Sequence, residues 1–489
     1  MRLSRRGFLI SGLVGGTALL SGAGAVRSGA PDTGSRPDAA GGEGENYVTM
    51  PGVPRPELKV RRHGSTTPGL LLVTPFRGRD DADALIVDDR GEPVWINRSG
   101  RLVTDLRVQT YEGEPVLTYW QGERRSGGYG DGVGIVLGRD YRRVAEVRAG
   151  NGVHADFHEF LLTDRGTALI IAYPEVTADM RPIGGPRNGR VLDNRVQEID
   201  VRTGEILFDW SALEHLDITE TLTPLREGAD GGPEGQPFDP IHVNSIQDDG
   251  DTLLLSARNS CTLYLLDRRT GAVRWRMGGR RSDFPLEGKL RFAWQHDARW
   301  LPDGTLSLFD NHITEQEKGL SRGMVLDVDE DARKVRLVRE FSDGRTFGHY
   351  MANLQLLPGG NALVGWGSTG SVTEFAGDGR PVLEVSGVGN GSYRAYRSAW
   401  SGRPAADPAV VAEPVDDERM RVHVSWNGAT GVTAWRFHTG SEPSRLAVAD
   451  TVRRSGFETA ATVPRARYVA AEALAAGGSS LGRSAPRAV

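Results

Sequence analysis

The amino-acid sequence predicts an all-β protein, a six-bladed β-propeller followed by a small β-sandwich. Three observations carry this. The 489-residue chain contains 64 glycines, and helix interiors tolerate Gly poorly because each one adds backbone entropy to be lost on folding. Short β-rich runs alternate with Gly- and Asp-containing turns along most of the chain. One segment type recurs with fixed internal spacing: His158, His242 and His296 each stand eight positions before a turn glycine, Gly166, Gly250 and Gly304.

The N-terminus comes first. Residues 1–25 combine Arg5-Arg6, a modestly apolar run and Ala23-Gly24-Ala25, the pattern of a twin-arginine signal peptide with a small-residue cleavage site. The run is too short to span a bilayer comfortably. The expectation is export, with the protein extracellular or associated with the cell envelope. Residues 26–46 are Gly-, Ala-, Pro- and Asp-rich and read as a flexible linker. The formal net charge of −5 supplies no basic field for nucleic acid. The single cysteine, Cys261, excludes an intrachain disulfide framework.

The propeller is expected over residues 47–405. Each His-bearing segment leads through its turn into a second β run, as in Ile241-His242-Val243-Asn244-Ser245 to Gly250 and then Leu253-Leu254-Leu255. A second hairpin follows, marked by an Asp, a turn Gly and often a Trp, as in Asp267, Gly271 and Trp275. Degenerate copies start at Asp105 and Ala352, and the opening copy is Leu70-Leu71-Leu72-Val73 followed by Ala84-Leu85-Ile86-Val87. Two hairpins per copy and about six copies give a ring of four-stranded blades. First strands line the axis of such a ring, so His158, His242 and His296 converge at one mouth. Asn244 shares a strand face with His242 by alternation. Arg258, eight residues past Gly250, returns to the His level, and His312 is its equivalent in the next copy. His154 and His158 stand at His-x-x-x-His spacing, but no helical His-Glu-x-x-His motif or matching third ligand accompanies them. No metal and no other cofactor is expected. After residues 404–414, a Pro- and Ala-rich hinge, short strands over residues 415–489 predict a sandwich without catalytic residues, an attachment or partner-binding module.

The motifs Asp239-Pro240-Ile241-His242-Val243-Asn244-Ser245, Leu255-Ser256-Ala257-Arg258-Asn259, Trp294-Gln295-His296-Asp297-Ala298, Asp310-Asn311 and Tyr393-Arg394-Ala395-Tyr396 occur in order along the ring. With them the chain resembles the arylsulfotransferase family over roughly residues 60–405, and residues 415–489 resemble a fibronectin type III-like module. The resemblance implies an enzyme that moves a sulfuryl group from an aryl sulfate to a phenol without a nucleotide sulfate donor. It implies His296 as nucleophile and His158, His242, Asn244 and Arg258 as groups around the sulfuryl oxygens. A late hydroxyl of the family site has no clear match; Thr369 is the expectation and Ser368 the other choice. His312, His349 and Tyr350 are expected near the substrate. Two alternatives belong to other classes: a non-catalytic exported propeller that binds an anionic or aromatic ligand, and a quinoprotein dehydrogenase, whose quinone and calcium motifs are not found in the sequence.

Overall fold

A computed structural model describes residues 46–78, 80–225, 235–312 and 320–489. Residues 1–25, expected to be a signal peptide, and nearly all of the expected linker lie outside the described residues. Six antiparallel sheets follow one another along the chain, five of four strands and one of five. Their innermost strands, in chain order, are β1 (Leu102–Tyr111), β2 (Phe160–Leu162), β3 (Val243–Asp249), β4 (His296–Trp300), β5 (Asn353–Leu356) and β6 (Ser392–Ser398). Successive sheets pack against one another through these strands and their neighbours, and β6 packs back against β1, which closes the ring.

Closure mixes the two ends of the ring segment. β6 is hydrogen-bonded to Leu70–Pro75, which pairs with Ala84–Val87 and then Pro93–Asn97, so the last inner strand completes the first sheet. Lys59–Arg62 adds a fifth strand to the outer edge of the β5 sheet. The alternation of the sequence puts aliphatic side chains between adjacent sheets: Leu253, Leu255 and Tyr264 pack against Leu169, Ile171 and Trp210. Leu254, Leu263 and Trp275 pack against Leu306, Leu308 and Met324.

Four inner strands break register near their start, between Thr104 and Arg107, Val243 and Ser245, His296 and Arg299, and Ser392 and Ala395. Such bulges re-aim side chains. Left-handed backbone at non-glycine residues gathers at the same level: Asp105, His242, Trp294, Asp297, His312 and Ala352 all have positive φ. The inner end of the ring is therefore locally strained rather than regular.

The C-terminal residues form two facing sheets. One holds Ala409–Pro414, Arg419–Ser425 and Glu458–Pro464; the other is built around Ala434–Glu442 and Tyr468–Leu474. Met420, Val422, Trp435, Phe437 and Val469 fill the space between them. The sandwich is bonded to the ring. Asn427 pairs with both the N–H and the C=O of Ile96 (2.9 and 2.8 Å), and Tyr141 donates to the Gly428 carbonyl (2.7 Å). Glu458 accepts from the Thr49 N–H (2.7 Å) and hydroxyl (2.6 Å), while Phe457 enters a ring core beside Tyr47. The segment read as a hinge is likewise tied down: Arg403 and Ala405 donate to the carbonyls of Arg139 and Asp140, and a strand starts at Ala409. Among the described residues no helix is long and apolar enough to cross a membrane.

Candidate active site

The site is built where the chain enters the inner strands. His158 is buried just before β2. Its Nδ1 lies 2.5 Å from Asp156 Oδ1, and the same carboxylate accepts the N–H groups of His158 (2.9 Å) and Gly130 (2.7 Å). His242 is built the same way before β3: Nδ1 lies 2.6 Å from Asp239 Oδ2, and the His242 N–H donates to Asp239 Oδ1 (3.0 Å). The two rings meet edge to face with centroids 4.8 Å apart. Tyr173 lies 5.7 Å from each, its hydroxyl donating to the Val243 carbonyl. His296, the first residue of β4, is buried, and its Nδ1 lies 2.7 Å from Asn311 Oδ1. For all three imidazoles the Nε2 atom makes no hydrogen bond among the described residues.

Arg258 sits on the hairpin after the β3 turn, at the level the repeat predicts: its N–H donates to the His242 carbonyl (2.8 Å). The guanidinium lies over the Trp294 ring, 3.9 Å from its centroid, and donates to Asn259 Oδ1 (2.9 Å), leaving a buried Nε without a partner among the described residues. Asn244 is partly engaged within the protein. Its Nδ2 donates to the Gln295 carbonyl (2.8 Å), and Oδ1 is buried and unpartnered. The ladder shifts register between Val243 and Ser245, so regular alternation is interrupted at Asn244.

Burial governs the protonation states. It lowers His296 well below the ordinary imidazole value, helped by the positive charge of Arg258, while the Asn311 hydrogen bond works the other way. Burial also lowers His158, with a further contribution from His242. Burial raises Asp156 to about 7 against its backbone hydrogen bonds. Both directions favour Asp156 and His158 as a neutral pair sharing one proton. Desolvation lowers Arg258 against the pull of Cys261 and Asp239, and its direct contacts are a ring face and an amide.

The remaining expected residues are not gathered at the imidazoles. Thr369 is exposed, with its hydroxyl engaged by Ser371 (2.7 Å) and the Trp366 carbonyl (3.3 Å). The neighbouring Ser368 hydroxyl is buried and unpartnered, and its N–H donates to the Tyr350 carbonyl (3.3 Å). His349 and Tyr350 are exposed on the segment that Asn311 holds through the Gly348 and Met351 carbonyls (2.8 and 3.0 Å). His312 lines a neighbouring cavity of about 540 Å³ with Cys261, Phe284 and Phe292. Among the described residues no group of three or more His, Cys, Asp or Glu is arranged to hold a metal.

Directly beneath the imidazoles, a buried ionic cluster fills the axis. Glu159 receives Arg107, Arg299 (2.7 Å) and Arg394 (3.2 Å). Arg394 also meets Asp105 (2.9 Å) and Asp297 (3.3 Å) and donates to the Asn244 carbonyl (3.0 Å). The sequence reading did not assign this cluster, or the partners Asp156, Asp239 and Asn311. Charged residues on several inner strands at the His level were the available signal.

The fold is an all-β ring that brings three buried imidazoles and an arginine together at one end of its inner strands. The family model described as Arylsulfotransferase (ASST) matches residues 107–388, more than half of the chain. The chain belongs to the arylsulfotransferase family. No curated protein matches it. Among solved structures it is similar to a protein of unknown function from Bacteroides caccae (14% identity, 67% of this chain and 98% of that one, TM-score 0.39). It is also similar to the β-propeller domain of Cps50 (Swd1) from Myceliophteria thermophila (12% identity, 76% and 98%, TM-score 0.35). A third is a putative 6-phosphogluconolactonase from Bacteroides fragilis (11% identity, 78% and 97%, TM-score 0.31).

Proposed function

We propose that this protein transfers a sulfuryl group from an aryl sulfate to a phenol through a sulfohistidine at His296. The observation that carries the reading is the convergence of three buried imidazoles and Arg258 at one mouth of the ring, in a chain of this family. In the first half-reaction a nitrogen lone pair of His296 attacks sulfur, the S–O bond to the aryl oxygen breaks, and a phenolate leaves. His242 or His158 supplies its proton. In the second, the same imidazole removes the proton of an acceptor phenol, whose oxygen attacks the sulfur and frees His296. Charge spread over the sulfuryl oxygens in the transition state is met by Arg258 and by imidazole N–H groups. Such donors act most strongly where burial has removed water. Ser368, with its unpartnered hydroxyl, is a better candidate than Thr369 for the late hydroxyl of the site.

The test is turnover of p-nitrophenyl sulfate by the purified protein, with and without phenol, beside His296→Ala. Nitrophenolate release that rises with phenol and vanishes in the variant supports transfer. Release indifferent to phenol indicates hydrolysis, and no release across a panel of aryl sulfates favours a binding role. Export by the twin-arginine route is part of the proposal and rests on residues 1–25 alone. A cell-envelope or protein partner for the sandwich is likewise a proposal from sequence.

A further inference from the structure

The three imidazoles are not held alike. His158 and His242 each place Nδ1 on a carboxylate, Asp156 and Asp239, whereas His296 places it on the amide oxygen of Asn311. An amide has one end that accepts and one that donates, and its orientation is normally ambiguous. Here it is not. The other end of Asn311 lies between two groups that only accept, the carbonyls of Gly348 (2.8 Å) and Met351 (3.0 Å). The NH₂ must face them, so Oδ1 must face His296. A lone oxygen acceptor 2.7 Å from Nδ1 requires Nδ1 to carry the hydrogen. The lone pair of a neutral His296 is then on Nε2, the nitrogen without a hydrogen bond among the described residues.

The geometry points to Asn311 as the positioning residue that fixes His296 in the Nδ1–H tautomer and so presents Nε2 as the reacting nitrogen, an assignment whose catalytic meaning rests on the function proposed above. The contrast with the carboxylate partners gives it chemical sense. A carboxylate would stabilise a protonated imidazole, which has no lone pair to give. An amide oxygen orients the ring without supplying a full negative charge. Burial and the nearby Arg258 charge act in the same direction, toward a neutral ring. Asn311 is itself fully buried and braced: the Ser321 hydroxyl donates to its carbonyl (2.9 Å) and accepts from the Gly348 N–H (2.8 Å).

The experiment is two-bond ¹H–¹⁵N correlation on the full protein with ¹⁵N-labelled histidine, the His296 signals assigned by their loss in His296→Gln. The expected spectrum has Nδ1 protonated and Nε2 bare. In Asn311→Ala the ring should move toward the Nε2–H form that free imidazole side chains favour. kcat for aryl sulfate should fall at least 10²-fold with a small change in KM, since a wrong tautomer in a comparable site costs about 10⁴. Ser321→Ala loosens the same segment while leaving the amide in place, and should keep both the tautomer and, within a few-fold, kcat. A wild-type His296 with Nε2 protonated overturns the assignment, as does an Asn311→Ala protein that keeps Nδ1–H, or a Ser321→Ala protein that loses as much rate. Should Asn311→Ala fail to fold, the wild-type spectrum alone decides. A protein with the expected tautomer but no sulfuryl transfer leaves the assignment standing and overturns the proposed function.

Discussion

Two levels of the ring axis, one directly above the other, are built from similar residues to opposite ends. The lower level is charge-compensated: Asp105, Glu159 and Asp297 face Arg107, Arg299 and Arg394 in a buried cluster. The upper level keeps groups in reserve. The Nε2 atoms of the three imidazoles and Arg258 Nε have no hydrogen-bond partner among the described residues. Under the proposed function, these unengaged groups are the ones a polar ligand would meet. The lower level forms a charge-paired floor beside the imidazoles. It also ties the two together, because Arg394 and Tyr393 both hold the carbonyl of Asn244.

The comparison predicts that the two levels fail differently. The largest effect is expected at the upper one. His296→Ala should lower aryl sulfate turnover by about 10⁴-fold or more, the scale seen when a nucleophile is removed. Its stability should fall by no more than about 1–3 kcal/mol, for the Asn311 oxygen left without a donor. In the lower level Glu159→Gln should cost about 3–5 kcal/mol in urea unfolding, because a buried carboxylate shared by three guanidinium groups loses its charge. A loss below 1 kcal/mol would show that the cluster is not the structural floor described. Arg258→Met keeps the contact with Trp294 and removes the charge; kcat should fall about 10²–10³-fold with the unfolding midpoint little changed.

Smaller effects follow from protonation. His158 and His296 are lowered by burial, so below about pH 6.5 the unfolded chain binds protons that the native rings refuse. Each ring therefore removes stability as pH falls through 6.5. Asp156, raised to about 7, works the other way over the same range, since the native carboxylate takes its proton first. The clean comparison is wild type against His296→Gln: stability measured from pH 7 to pH 5 should decline less steeply in the variant. The smallest difference is expected between two neighbours. Ser368→Ala should slow transfer about tenfold, the effect of one hydrogen bond, and Thr369→Ala should leave it unchanged.

Much of this arrangement was legible in the chain. The constant spacing from His158, His242 and His296 to their turn glycines encodes the ring and the shared level of the imidazoles, because equivalent strands of a closed repeat meet the axis at one height. The same register carries Arg258 to the His242 carbonyl. Periodicity could not show where alternation stops. The register shift at Val243–Ser245 interrupts it at Asn244, and no residue pattern marks it. Nor could spacing reveal pairings between distant strands: Arg394 and Glu159 are 235 positions apart and meet only because the ring closes. The docking of the sandwich is hidden for the same reason. Asn427 and Phe457 look like ordinary loop residues until Ile96 and Tyr47 are beside them.

A sulfohistidine on His296 can be sought directly as a covalent intermediate. The protein is mixed with excess p-nitrophenyl sulfate without an acceptor, quenched in alkali, and analysed by intact mass and peptide mapping. The expected result is a gain of one SO₃ group per chain, carried by His296, with an equal amount of nitrophenolate released, and loss of the SO₃ group when phenol is added before the quench. A burst of nitrophenolate with the protein mass unchanged, or a sulfuryl group mapped to another residue, would contradict it.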